Sequence, residues 1–149
     1  MTKTILLVED NASDEKLTVL AFRKCGVANE VTVVRDGAEA LDYLFATGAH
    51  AGRDTAVLPT VILLDLKLPK VNGLEVLSRL KTDPRTKFIP IVVLTSSHED
   101  RDLNSCYKLG ANSYIVKPVD FVRFTEAMRQ LGLYWLLLNE KPARWQQEP

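Results

Sequence analysis

Residues 60–73 read TVILLDLKLPKVNG, and the fold follows from how this stretch divides at Asp65. Thr60 to Leu64 are apolar or β-branched and carry no charge, the composition of a strand covered on both faces. A carboxylate then stands where that strand leaves the sheet. Pro69 and the Asn72-Gly73 pair follow within eight residues and mark a loop ahead of a helix. The carboxyl ends of buried parallel strands are where open α/β sheets hold their ligands. From this stretch alone, Asp65 is either a functional carboxylate or a loop or helix-capping aspartate.

The same alternation extends in both directions. Thr4 to Val8 is a short β-rich run that stops at Glu9-Asp10. Leu17, Leu20, Ala21 and Lys24 then recur at helical spacing, with Asn11 or Ser13 as candidate caps and Gly26 as the stop. Val31 to Val34 is a second strand, Asp36-Gly37 a turn or cap, and Ala38, Leu41, Leu44 and Phe45 a helix face. Thr47 to Leu58 is a connection of about twelve residues, long for a compact domain, and reads as an insertion or a mobile loop. Beyond Gly73, Leu74, Val76, Leu77 and Leu80 form a third helix closed by Asp83-Pro84. Ile89 to Leu94 is a fourth buried strand ending in Thr95-Ser96-Ser97. The fourth helix, Glu99 to Leu109, has Leu103, Cys106 and Tyr107 as its less polar side and stops at Gly110. Ser113 to Val116 is a fifth strand, ending at Lys117-Pro118. Asp120 then caps a helix whose Phe121, Phe124, Met128, Leu131 and Trp135 are spaced 3, 4, 3 and 4, a stripe read mostly as core. Five strand–helix units joined by right-handed crossovers predict an α/β fold: a five-stranded doubly wound parallel sheet with helices on both faces.

Composition narrows the function classes. The 149 residues suit one domain, and nineteen basic against nineteen acidic residues give a formal net charge of zero. Nothing global therefore draws the chain to nucleic acid or to an anionic membrane. Cys25 and Cys106 lie far apart without a CxxC companion, which argues against a disulfide framework or a zinc site and for a reducing compartment. The N-terminal apolar run is four residues long, too short for a signal peptide, and no stretch approaches the roughly 20 residues of a membrane span. A soluble cytoplasmic protein is expected.

Chemistry collects at the strand ends. Strand 1 ends in Glu9-Asp10, strand 3 in Asp65, strand 4 in Thr95 and strand 5 in Lys117-Pro118. Parallel strands point these ends at one edge, so the groups can share a crevice. Three carboxylates together repel and raise one another's pKa, a conflict that a bound divalent cation removes. Hard oxygen ligands favour Mg2+ over zinc. His50 and His98 stand at no strand end and read as surface imidazoles. A metal-bound carboxylate beside a lysine and a hydroxyl suits phosphoryl transfer: Asp65 as nucleophile, Lys117 and Thr95 bonding phosphoryl oxygens. Singly, Thr95 reads as a cap, Lys117 as a surface charge and Asp10 as a turn residue. Their joint arrival at four strand ends favours the functional reading.

Four pieces carry a family resemblance: ILLVEDN (Ile5–Asn11), VILLDLKLPKVNGLEVL (Val61–Leu77), IVVLTSS (Ile91–Ser97) and GANSYIVKPVD (Gly110–Asp120). From about residue 4 to about residue 131 the chain resembles the receiver domains of two-component response regulators, whose fold is flavodoxin-like. The resemblance implies phosphorylation of Asp65 by the phosphohistidine of a histidine kinase. It implies Mg2+ held by Asp10, Asp65 and the backbone carbonyl of Lys67, with Glu9 assisting through water. It makes Lys117 the phosphoryl-binding cation and Thr95 with Tyr114 a switch pair, Tyr114 moving inward as the Thr95 hydroxyl is drawn to the phosphoryl group. It also implies a cis Lys117–Pro118 peptide. Glu9-Asp10 stands where many members have two aspartates, which leaves the metal site intact, and Lys67 and Ser97 fall where the family tunes the phosphoryl lifetime. Such a domain catalyses its own phosphotransfer and slow dephosphorylation without being a conventional enzyme.

Residues 1–131 are thus expected to form the receiver domain, and 132–149 a C-terminal extension of the last helix and tail. No effector domain and no basic helix-turn-helix follows, so a single-domain regulator without direct nucleic-acid output is expected. Six consecutive apolar residues, Leu133 to Leu138, exceed what one helix face needs. They either fold back on the domain or, as favoured, join helix 4, strand 5 and helix 5 in a homodimer or partner contact. With the Thr47–Leu58 connection, the tail is similar to the small regulators paired with cyanobacterial phytochromes, which implies a light-sensing histidine kinase as partner. Three alternatives fit the residues less well. A receiver-like module working without phosphorylation would have lost a site residue, and none is lost. An aspartate-nucleophile phosphatase needs a second acid where Lys67 stands, and in a flavin-binding domain Glu9-Asp10 would repel the cofactor's phosphate.

Overall fold

The computed structural model describes residues 4–27, 29–96 and 100–134, the side chains of 100–102 excepted. Strands β1 (Thr4–Val8), β2 (Glu30–Val34), β3 (Val61–Asp65), β4 (Ile91–Thr95) and β5 (Ser113–Val116) alternate with helices α1 (Ala12–Lys24), α2 (Gly37–Phe45), α3 (Gly73–Thr82), α4 (Asp100–Lys108) and α5 (Phe121–Gln130). The strands form one parallel sheet in the order β2-β1-β3-β4-β5. The chain therefore reverses its direction of travel across the sheet after β2, and the crevice opened by that reversal lies between β1 and β3.

Alternation along each strand divides the core. Leu6, Val8, Ile62, Leu64 and Val93 meet Leu41, Leu44, Val76, Leu77, Leu80 and Cys106 of α2, α3 and α4. Ile5, Leu7, Leu63, Val92 and Leu94 meet Ala21 and Phe22 of α1 and Phe124, Ala127 and Met128 of α5. There the Phe22 and Phe124 rings pack with centroids 4.7 Å apart. With both faces covered, β3 and β4 are buried throughout, so the first charge after the apolar run, Asp65, falls at the edge of the sheet.

Helix ends follow the local signals. Asn11, Asp36, Asn72 and Asp120 each accept the backbone N–H three residues on. Gly26, Gly110 and Gly132 take φ of 75°, 100° and 70° beyond α1, α4 and α5. At each, the next residue's N–H turns back to a carbonyl of the last turn, as Leu133 does to Met128 at 2.8 Å. The apolar spacing predicted one helix through Trp135; instead α5 ends at Gln130 because Gly132 stops it. Leu133 still packs against the α1–α5 side of the core, and residues 135–149 lie outside the described ones.

One further expectation changes. Tyr107 is half exposed, a 100° step round α4 from the buried Cys106. The 47–58 connection, read as an insertion or mobile loop, contains a 3-10 turn (Gly48–His50) and is fastened to α2. Arg53 stacks on the Tyr43 ring at 3.9 Å and donates to the carbonyls of Tyr43 and Val57. His50 pairs with Glu39 at 3.2 Å and meets Tyr43 edge-on. No described helix is long and apolar enough to cross a membrane.

Candidate functional site

Parallel pairing in register brings the carboxyl ends of β1, β3, β4 and β5 to one edge. Glu9, directly after β1, is fully buried, whereas Asp10 is exposed. Asp65 closes β3 and Thr95 closes β4, both nearly fully buried. The Lys117 backbone N–H donates to the Thr95 carbonyl at 2.7 Å, which ties the β5 exit to β4, and the Lys117–Pro118 peptide is cis.

Lys117 is the hub. Its Nζ donates to Asp65 Oδ2 at 2.8 Å and to Asp14 Oδ2 at 2.8 Å, and lies 2.7 Å from Glu9 Oε1. The Glu9 contact is a charge contact off hydrogen-bond alignment, so Oε1 stays buried without a hydrogen bond. Asp65 Oδ1 accepts the Lys67 backbone N–H at 3.0 Å, leaving both Asp65 oxygens fixed in direction. Glu9 Oε2 accepts the Asn11 N–H at 3.3 Å.

Burial, followed by the neighbouring Asp65 carboxylate, pushes the Glu9 carboxyl up to about 8, and Lys117 offsets only part of this. Burial opposes the charge on Lys117, yet its contacts with the Asp14, Asp65 and Glu9 carboxyl groups outweigh that and hold its pKa above the ordinary lysine value. The ammonium therefore stays charged at neutral pH.

Carboxylate oxygens of Glu9, Asp10 and Asp65 lie within 4.8 Å of one another. An all-oxygen set with one buried, unbonded acceptor fits a hard divalent cation with room left for water or a phosphate oxygen. Thr95 lies two residues beyond Val93 and so points to the α2–α4 face of the sheet. Tyr114 packs, half-buried, on that same side of the core. Ser97 and His98 fall outside the described residues. His50 serves the α2 connection and is not among the converging groups.

Three contributors were missed from the sequence. Asp14 stands in the first turn of α1 and was not among the residues singled out at the strand ends. Gly73 was read as loop punctuation, but a Cβ there would stand 2.3 Å from the Asp65 carbonyl oxygen and 2.5 Å from Leu66 Cα. Its N–H donates to the Leu66 carbonyl at 3.0 Å, so α3 starts hard against the residue that follows Asp65. Gly37 meets the other side of the same loop, where a Cβ would lie 1.8 Å from the Val71 carbonyl oxygen. Asn-Gly and Asp-Gly before a helix are the signals that could have suggested both close approaches.

A family model for the response regulator receiver domain matches residues 5–129. The chain belongs to that family. It is 44% identical over 138 residues to the probable methanogenesis regulatory protein FilR2 of Methanothrix harundinacea, covering 93% of this chain and 86% of that protein. It is 36% identical over 141 residues to the response regulator Rcp1 of Synechocystis sp., covering 95% and 94%. The solved structure of the bacteriophytochrome response regulator AtBRR superposes with a TM-score of 0.84 at 54% identity, covering 94% of this chain and 99% of that one. The five-stranded fold is that of the receiver domains, and phosphorylation-based signalling is the function of the family.

Proposed function

We propose that this receiver domain accepts a phosphoryl group on Asp65 from a histidine kinase of the phytochrome type and passes the change to a partner protein in the cytoplasm. The observation that carries the reading is the Asp65 carboxylate at the end of a buried strand, held between Lys117 Nζ and the Lys67 N–H and flanked by Glu9 and Asp10. An Asp65 oxygen attacks the phosphorus of a phosphohistidine. The P–O bond forms as the P–N bond breaks, and the leaving imidazole nitrogen keeps the electron pair and takes a proton. Lys117 donates a hydrogen bond to a phosphoryl oxygen, and the Thr95 hydroxyl donates to another. The domain supplies its own catalysis in this way without being a conventional enzyme.

Asp10, Asp65 and the Lys67 carbonyl would hold Mg2+, with Glu9 reaching it through water; a manganese-bound form of Rcp1 has been solved, which supports a divalent ion here. Mg2+ would neutralise charge on the incoming phosphoryl group. The phytochrome-type partner rests on the names of AtBRR and of a phosphorylated cyanobacterial phytochrome response regulator, RcpA. A homodimer through α4, β5, α5 and residues 132–149 is supported by an open cleft lined by Tyr114, Val116, Val122 and Glu126, beside which Val122 is largely exposed. Incubation with a phosphorylated bacteriophytochrome kinase and Mg2+ should transfer phosphate to the wild type and not to Asp65→Asn. Transfer to Asp65→Asn at the wild-type level would refute the assignment.

A further inference from the structure

Asp14 is the third residue of α1, and its N–H donates to the cap residue, Asn11 Oδ1, at 3.0 Å. An acid at that helix position ordinarily folds back over the cap to accept a backbone N–H. Glu39 of α2 does so, accepting the Arg35 N–H at 3.0 Å. In α1 the N–H of the cap residue Asn11 is already taken, donating to Glu9 Oε2 at 3.3 Å. The Asp14 carboxylate instead turns to the edge of the sheet and binds Lys117 Nζ at 2.8 Å.

The ammonium of Lys117 has three protons and faces three carboxylates at 2.7–2.8 Å. Two of those protons go to Asp65 and Asp14, and Glu9 Oε1 crowds the third direction at 2.7 Å, so a phosphoryl oxygen approaching the ammonium must displace one of the three groups. The Asp14 side chain is 32% exposed, against 0% for Glu9 and 6% for Asp65. Of the three, Asp14 is the carboxylate that water can best solvate once released, and it holds Lys117 from the solvent side, where a donor must enter.

We propose that Asp14 is a positioning residue that competes with the phosphoryl group for Lys117, disfavouring the phosphorylated state and shielding Asp65 from small anionic phosphodonors. This rests on Asp65 being the phosphoacceptor. A phosphoryl oxygen on the same ammonium would lie about 4–5 Å from the Asp14 carboxylate. Even with water-like screening, which a side chain only 32% exposed does not exceed, like charges at that distance weaken binding about fivefold.

The test is binding of beryllofluoride, an acyl-phosphate mimic, with Mg2+ present, followed by fluorine NMR for wild type, Asp14→Asn, Asp14→Glu and Asp65→Asn. Asp14→Asn should bind about fivefold more tightly and Asp14→Glu, which keeps the charge, like wild type. In the metal-free protein, nitrogen NMR should show the Lys117 ammonium protons exchanging faster in Asp14→Asn. Unchanged or weaker beryllofluoride binding by Asp14→Asn, unchanged ammonium exchange, or an Asp14→Glu that behaves like Asp14→Asn would overturn the proposal. Retained binding by Asp65→Asn would instead overturn the phosphoacceptor reading beneath it.

Discussion

Replacing Gly73 by alanine separates local preference from tertiary fit. At the first position of α3, alanine is the better helix former, and propensity alone predicts a gain of up to about 1 kcal/mol. The structure predicts a loss. The added Cβ would stand 2.3 Å from the Asp65 carbonyl oxygen, and ordinary contact begins at 3.4 Å, so loop and helix must part by about 1 Å. Both nearest groups are backbone, without a flexible side chain to swing aside. Overpacking of this kind costs roughly 1–3 kcal/mol, and about 2 kcal/mol lowers the melting temperature of a chain of this size by about 4–8 °C. The displaced residues include Asp65 itself. Mg2+ coordination tolerates about 0.2 Å of error, so affinity should fall at least about tenfold. Thermal denaturation with and without Mg2+, together with a Mg2+ titration, measures both effects. An unchanged or raised melting temperature with wild-type Mg2+ affinity would refute the close-approach reasoning.

Two further outcomes follow from the same geometry. Glu9 holds its proton up to about pH 8 in the metal-free fold, against 4.5 for a free glutamate. Its folded pKa lies above the unfolded one, so the stability tied to that proton is complete below about pH 4.5 and is lost as pH rises through about 8. The metal-free melting temperature should therefore fall between about pH 4.5 and pH 8 more steeply in wild type than in Glu9→Gln, and added Mg2+ should stabilise more at the upper end; identical slopes in melting curves would contradict this. Arg53→Ala removes a cation–π contact and two hydrogen bonds to carbonyls. It should cost about 1–2 kcal/mol in urea unfolding and speed proteolytic cutting within residues 47–58, and wild-type resistance would show that Arg53 does not fasten the connection.

Asp65 was legible in the sequence because a strand covered on both faces admits no charge, so the first one after Thr60–Leu64 marks the edge of the sheet. Glu9 and Lys117 were legible for the same reason and Thr95 as the hydroxyl closing an apolar run, and strand–helix alternation with parallel strands was enough to bring them together. Asp14 was hidden because its partner is 103 residues away, and because a carboxylate in the first turn of a helix already has an explanation in the helix dipole. Gly73 and Gly37 were visible as turn formers, but the contacts that require them belong to a loop pressed between two helix starts, and no local pattern encodes that. The overlong reading of α5 has the opposite cause. Apolar spacing continued past Gly132, whereas the left-handed turn at that residue ended the helix.

In the proposed function, phosphate is carried as an acyl phosphate on Asp65. Borohydride reduces an acyl phosphate to an alcohol and leaves a free carboxylate alone, so the modified residue can be located by mass spectrometry of peptides. After phosphotransfer in the presence of Mg2+, the peptide spanning Val61–Leu77 should carry homoserine at position 65 in wild type and remain unmodified without donor. Reduction at a different carboxylate, or phosphate held on a hydroxyl and untouched by borohydride, would contradict it.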